Sequence, residues 1–199
     1  MKGYYFITDK NLSRLGNLSD VRNAVKAGVK IVQYREKNAD AKEMYEEALK
    51  LRKICKGVSF LINDRVDIAL AVGASGVHLG QSDMPYKVAR KLLGKNKIIG
   101  ITVHNVEQAV LAQKAGADYV GVSPVFETRT KPDAKNPVGI ELIRKIKQRV
   151  SLPVVAIGGI NLSNAKEVIS AGANCVCAVS AVIAKKNVKS EINKFQKLF

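Results

Sequence analysis

The chain has 199 residues, 47% hydrophobic and 25% charged, enough for one globular domain over residues 1–199 with a substantial core. No apolar run approaches the roughly 18 residues that a membrane helix needs, and no Arg-then-apolar leader opens the chain, so it is expected to be soluble and cytoplasmic, with no membrane partner. The net charge of +16 favours anionic partners, phosphorylated metabolites or nucleic acid, but the lysines are spread through helical segments without a basic tail or aromatic-interleaved strip, which weakens the nucleic-acid reading and makes most of them a solvated surface.

A first strand is predicted at residues 4–8. A helical pattern then ends at Ala27-Gly28, and the apolar run VKIVQYR follows at once. The same order recurs at Val72-Gly73-ASGVHLG, Ala115-Gly116-ADYVGVS and Ala171-Gly172-ANCVCAV. Glycine at that point can take the left-handed conformation that stops a helix. Between these repeats lie further strand candidates at residues 58–62, 97–102 and 153–157, so eight strands are expected, and the glycine repeat marks the even ones. Ala41, Met44, Ala48, Leu51 and Cys55 fall at 3-4-3-4 spacing, and Val188, Ile192, Phe195 and Phe199 make a similar stripe near the end. Strict alternation of strand and helix, without hairpin signals, predicts an α/β fold, a single (β/α)8 TIM barrel. Cys175 and Cys177, two apart in one strand, are expected to be buried thiols on one face.

The site of such a barrel lies at the C-terminal strand ends. Strand 2 ends Gln33-Tyr34-Arg35-Glu36-Lys37, and alternation puts Gln33, Arg35 and Lys37 on the inward parity of Val29 and Ile31. An Arg fork beside a Lys point charge suits a diphosphate, and Gln33 deeper in can read a heteroaromatic edge. Strand 3 ends in Asn63-Asp64 and strand 4 runs to Asp83, so the two carboxylates are placed to share one hard cation. His78, inside the apolar run of strand 4, reads as structural. Strand 5 leads to Thr102 and His104, a hydroxyl and an imidazole, the latter in a position typical of capping or packing. Residues 123–137 form the longest irregular segment, a candidate lid or binding loop, in which Thr128, Thr130 and Lys131 offer hydroxyls and a cation. After strand 7 come Gly158-Gly159 and after strand 8 Val179-Ser180, expected to expose backbone N–H groups at helix starts as a phosphate site. These parts describe two facing anion sites, one with metal and cations for a diphosphate and one for a monophosphate. No nucleophile–base pair stands out, which suggests departure of a metal-bound diphosphate and attack by a second phosphorylated substrate.

The ordered set QYREK, INDRVDIAL, GVHLGQSD, Thr128-Arg129-Thr130-Lys131, VAIGGI and VSA closely resembles the thiamine phosphate synthase family, from Tyr4 to about Ala184. The resemblance implies a transferase that couples hydroxymethylpyrimidine diphosphate with hydroxyethylthiazole phosphate, or its carboxylated form, by a dissociative mechanism in which diphosphate leaves first. It implies Mg2+ held by Asp64 and Asp83. It assigns the pyrimidine diphosphate to Gln33, Arg35, Lys37, Asn63, Thr102 and Lys131, and the thiazole phosphate to Thr128, Thr130, Gly159, Val179 and Ser180. Tyr34, Glu36 and Arg129 join the candidate substrate contacts as members of the matching runs, and Arg35, Lys37 and Lys131 are the candidate catalytic cations. The family often has Ser where this chain has Thr102. A sister group, the thiazole tautomerases, resembles the chain at Thr102-Val103-His104 and Val125-Phe126-Glu127-Thr128, but needs neither metal nor diphosphate contacts. A basic RNA-binding or regulatory barrel without catalysis is the alternative from another class, and the oligomeric state is left open.

Overall fold

Eight parallel strands pair in sequence order, and the eighth returns to the first to close a barrel. The computed structural model describes residues 1–128, 130 and 136–199. The strands are β1 Gly3–Ile7, β2 Ile31–Tyr34, β3 Ser59–Asn63, β4 Gly76–Leu79, β5 Ile98–Val103, β6 Tyr119–Val122, β7 Val154–Ile157 and β8 Cys175–Cys177. The helices between and after them are α1 Asn17–Lys26, α2 Ala41–Ile54, α3 Val66–Ala71, α4 Tyr86–Leu93, α5 Val106–Ala115, α6 Gly139–Arg149, α7 Ala165–Ser170, α8 Val179–Ile183 and α9 Val188–Gln196. Among the described residues, no helix is long and apolar enough to cross a membrane.

The repeated helix–glycine–strand pattern has the expected backbone cause. Gly28, Gly73, Gly116 and Gly172 all have positive φ, between 63° and 109°, which lets the chain leave each helix and enter the next strand without a Cβ clash. Helix entries are set by side chains where the turn permits it. Asp40, Asn105 and Asn187 accept hydrogen bonds from the backbone N–H groups of Glu43, Gln108 and Ser190.

Apolar packing forms two layers. Outside the strands, Met44, Ala48, Leu51 and Cys55 of the second helical segment and Val188, Ile192 and Phe195 of the last are buried against the barrel. Ala41, predicted to share that stripe, is exposed in the first turn of α2, and Phe199 lies beyond the end of α9. Inside the barrel, Tyr5, Ile7, Ile31, Leu61, Tyr119, Val155, Cys175 and Cys177 form a second cluster. Ile31 thus faces inward as expected, whereas Val29 precedes β2 and packs in the outer layer. All three cysteines are buried free thiols. Burial pushes Cys55 up to about 11 and Cys175 up to about 12, so neither is a ready thiolate nucleophile.

Candidate active site

The strand ends gather the polar residues of the barrel at one mouth. At the end of β1, the N–H of Thr8 donates to the Gln33 carbonyl (3.0 Å), and the Thr8 hydroxyl accepts from the N–H of Arg35 (2.9 Å). Thr8 therefore fixes the backbone of Arg35 just past β2. Asp9 follows, closing its own turn by accepting from the N–H groups of Asn11 and Leu12.

Alternation along β2 then sorts the QYREK run. Gln33 is buried inside the barrel, and Arg35 and Lys37 line the mouth. Tyr34 points the other way: it is fully buried, and its hydroxyl donates to Glu47 of α2 (2.7 Å). The Glu36 carboxylate accepts from the backbone N–H groups of Lys37 (2.7 Å) and Asn38 (2.8 Å). The Tyr34 hydroxyl is thus engaged with α2 and the Glu36 carboxylate with the backbone that follows it.

Asn63 and Asp64 end β3. Asp64 has φ 62°, the one positive value outside glycine among the described residues, and its N–H donates to the His78 carbonyl (2.8 Å). A short polar side chain tolerates this left-handed conformation, and such strain concentrates at functional sites. The Asp64 carboxylate pairs with the Lys37 ammonium and meets the Asp83 carboxylate. Asp83 accepts from the N–H of Gly80 (2.6 Å). Burial first, and then the bond with Asp83, raise the Asp64 pKa despite Lys37. Burial also works to raise Asp83, but its bonds with Asp64 and Gly80 and the charge of Lys37 win, and hold it below the ordinary value. With one lysine beside them, the two carboxylates leave negative charge at the mouth that a divalent cation could offset. Among the described residues no group of three or more His, Cys, Asp or Glu forms a metal cage. Two carboxylates fit a magnesium ion that takes its remaining ligands from water and substrate phosphates.

Two chambers open from this mouth. The larger, about 410 Å³, takes in Gln33, Lys37, Asn63, Asp64, Asp83, Thr102 and His104. The smaller, about 90 Å³, is bounded by Thr8, Asp9, Thr128, Thr130, Gly159, Val179 and Ser180. Arg35 borders both, with Ile7, Ser123 and Ile157. The residues expected at the two anion sites thus line adjoining spaces that share Arg35.

The second chamber is built on the segment after β6. There, the N–H groups of Val125 and Phe126 donate to the carbonyls of Ile157 and Gly158 (2.9 and 3.1 Å), and those of Val138 and Gly139 donate back to Pro124 and Val125. Both ends of the irregular segment are thereby pinned, which places Thr128 at the chamber wall. Arg129 and Lys131, two of the predicted contacts, lie outside the described residues. After β7 the helix does not begin at the glycines: α7 starts only at Ala165, so Gly158 and Gly159 form an open turn. After β8, α8 begins at once with Val179 and Ser180, as expected.

The family model described as thiamine monophosphate synthase matches residues 4–182. The chain belongs to this family. It is 55% identical to the thiamine-phosphate synthase of Methanosarcina barkeri, over 96% of this chain and 88% of that protein. It is 52% identical to the thiamine-phosphate synthase of Methanosarcina mazei, over 96% and 80%. The solved thiamine phosphate pyrophosphorylase of Pyrococcus furiosus superposes with a TM-score of 0.91 at 42% identity, covering 98% of this chain and 94% of that one. As a member of the thiamine monophosphate synthase family, the chain is an enzyme, a transferase of the pyrimidinylmethyl group.

Several residues that line the site of this thiamine monophosphate synthase family member were not predicted: Thr8, Asp9 and Ser123 at strand ends, and His78 and Tyr119 inside the barrel. His78, read as structural, faces the large chamber with Nε2 2.8 Å from the Thr102 hydroxyl. His104 also lines that chamber, and its Nδ1 lies 2.7 Å from the Ser123 carbonyl. A carbonyl only accepts, so this nitrogen carries the proton.

Gly159 offers a test of how the second chamber is built. A Cβ there would lie 2.4 Å from the Glu127 carbonyl oxygen and 2.7 Å from Phe126 Cβ, at φ 63°. Gly159→Ala is expected to push the Thr128 segment outward, raising the KM for a monophosphate substrate about tenfold and costing about 1–3 kcal/mol of stability. Steady-state kinetics with each substrate varied in turn, beside a thermal melt, measures both effects.

Proposed function

We propose that the chain joins hydroxymethylpyrimidine diphosphate to hydroxyethylthiazole phosphate, or to its carboxylated form, yielding thiamine phosphate and diphosphate. The observation that carries this reading is the pair of adjoining chambers that share Arg35, one holding the acid pair and Lys37, the other lined by Thr128, Thr130, Ser180 and the Gly158-Gly159 turn. Asp64 and Asp83 would hold Mg2+, which when bound offsets the charge of the diphosphate. Arg35 and Lys37 add fixed cations on the same side, so negative charge that grows on the leaving group meets positive charge already in place. Gln33, Asn63 and Thr102 orient the pyrimidine. Asn63 is buried and lines the chamber with no side-chain hydrogen bond to another described residue, so its amide is available to a ligand. Thr128, Thr130, Gly159, Val179 and Ser180 seat the thiazole phosphate, and the predicted Lys131 adds a cation from the loop. Holding both rings at the junction of the chambers favours direct transfer over capture by water. The reading involves small-molecule substrates alone, with neither nucleic acid nor membrane.

The test is formation of thiamine phosphate from the two purified substrates, with Mg2+ and with EDTA. Metal-dependent product is the expected result. No product in either condition overturns the proposal and sends attention to thiazole tautomerisation with His104. Equal product in EDTA leaves the synthase and removes the metal assignment.

A pH effect follows from the acid pair. The pKa of Asp64 is raised above the ordinary aspartate value, so a proton competes with the cation at a higher pH than it would at a solvated aspartate. The Mg2+ concentration for half-maximal rate should therefore increase as the pH falls from neutral to mildly acidic. Magnesium titrations of the rate at several pH values check this.

A further inference from the structure

Beneath the large chamber, five side chains from five strands form one hydrogen-bonded chain across the barrel. Gln33 Nε2 donates to the Tyr5 hydroxyl (2.8 Å), which lies 2.7 Å from the Tyr119 hydroxyl. Tyr119 in turn lies 2.8 Å from His78 Nδ1, and His78 Nε2 lies 2.8 Å from the Thr102 hydroxyl. Both tyrosines are buried, and burial raises their pKa values, so both stay protonated phenols. The barrel makes room for them with glycine: a Cβ on Gly100 would lie 2.0 Å from the Tyr119 ring, and one on Gly121 would lie 3.0 Å from His78 Cε1. The two ends of the chain, Gln33 and Thr102, are the residues that face the large chamber from β2 and β5.

We infer that Tyr5, Tyr119 and His78 are positioning residues that fix the direction of hydrogen bonding at Gln33 and Thr102 before substrate arrives. Each hydroxyl has one proton and a neutral imidazole has one N–H, so with His78 neutral the chain runs in one of two senses. With the Gln33 amide nitrogen donating to Tyr5, Tyr5 donates to Tyr119 and Tyr119 donates to Nδ1 of His78. His78 is then neutral with its proton on Nε2, which donates to Thr102. The hydroxyl proton of Thr102 is left for the chamber, as is the carbonyl oxygen of Gln33. In the opposite sense every bond reverses: the Gln33 carbonyl would accept from Tyr5, Nδ1 would carry the proton, and Thr102 would spend its proton on His78. The first sense presents an acceptor from β2 and a donor from β5. It fits a planar heterocycle with an N–H donor on one side and a ring-nitrogen lone pair on the other. That the heterocycle is the pyrimidine rests on the function proposed above; the direction of the chain does not.

The first measurement is therefore made on the free protein. The chain has only two histidines, so a long-range proton–nitrogen spectrum at a pH above the ordinary histidine range, assigned with His78→Gln, reads both rings. Expected are opposite tautomers, Nε2–H at His78 and Nδ1–H at His104. A proton on Nδ1 of His78, or an even mixture of tautomers, overturns the inference whatever the substrate proves to be. The second measurement uses Tyr119→Phe, which keeps the ring and cuts the chain. It should leave His78 a mixture of tautomers and raise the KM for the pyrimidine diphosphate about tenfold, the size of one lost hydrogen bond, with the KM for the thiazole phosphate unchanged. An equal rise for both substrates marks Tyr119 as merely structural and overturns the positioning role. Should the variant fail to fold, Tyr5→Phe cuts the same chain one bond earlier, with the same two outcomes.

Discussion

Asp64→Asn and Asp83→Ala are each expected to lower turnover by at least about a thousandfold, on the order of 4 kcal/mol of transition-state stabilisation, while the protein stays folded. Asp64 directly follows β3 and Asp83 lies in the turn after β4, both outside the apolar layers, so their loss leaves the core intact. Asparagine is chosen at position 64 because the backbone there has φ 62°, where alanine would add strain of its own. The same substitution separates function from stability. The folded pKa of Asp64 is raised above its unfolded value, so the folded state binds that proton more tightly. Whatever stability the group contributes is complete below the unfolded pKa and is lost as the pH rises through the folded one. At neutral pH the buried charge therefore opposes folding, partly offset by Lys37. Without metal, Asp64→Asn should melt no lower than the parent protein at neutral pH, a stability gained where activity is lost. Turnover within a few-fold of the parent at saturating Mg2+, in either variant, would sink the metal assignment.

How much of this was legible in the sequence depended on which physical signal each residue left. The four helix-stopping glycines were readable because a left-handed residue before a strand leaves little choice of side chain, and their recurrence counted out the even strands of the barrel. Asp64 was readable because a charge directly after an apolar run has to stand at a strand end; Asp83 lies past the end of β4, in a turn closed by its bond with the Gly80 N–H. Alternation along β2 sends Tyr34 outward to Glu47, a direction the run QYREK carries in its spacing. His78 left no such signal. Parallel strands in a barrel are buried on both faces, so GVHLG shows no polar alternation from which the inward face can be told. The Tyr5–Tyr119 pair joins residues 114 positions apart, and only the closed barrel brings them together. Thr8, the last residue of the first predicted strand, leaves no signal of its own; its importance lies in the Arg35 backbone, which it holds.

That hold makes Arg35 the cleanest position at which to test whether the two chambers act as one site. Its N–H and carbonyl are the groups bonded to Thr8, so changing the side chain leaves this joint in place. The side chain borders both chambers, and a guanidinium there can meet phosphate oxygens from either side. Arg35→Ala should lower kcat/KM by about a hundredfold or more and raise the KM for both substrates. Arg35→Lys keeps the charge but not the planar fork, and a single ammonium cannot bridge two phosphates in fixed geometry. It should recover only part of the loss, chiefly for the substrate of the larger chamber, where Lys37 already supplies a point charge. If Arg35→Ala changes the KM of one substrate alone, the arginine belongs to one chamber and the two anion sites are independent. If Arg35→Lys restores full activity, charge suffices and the fork geometry plays no part. A rise in both KM values with only partial rescue by lysine is the result expected of a residue that holds the two phosphorylated ligands against each other.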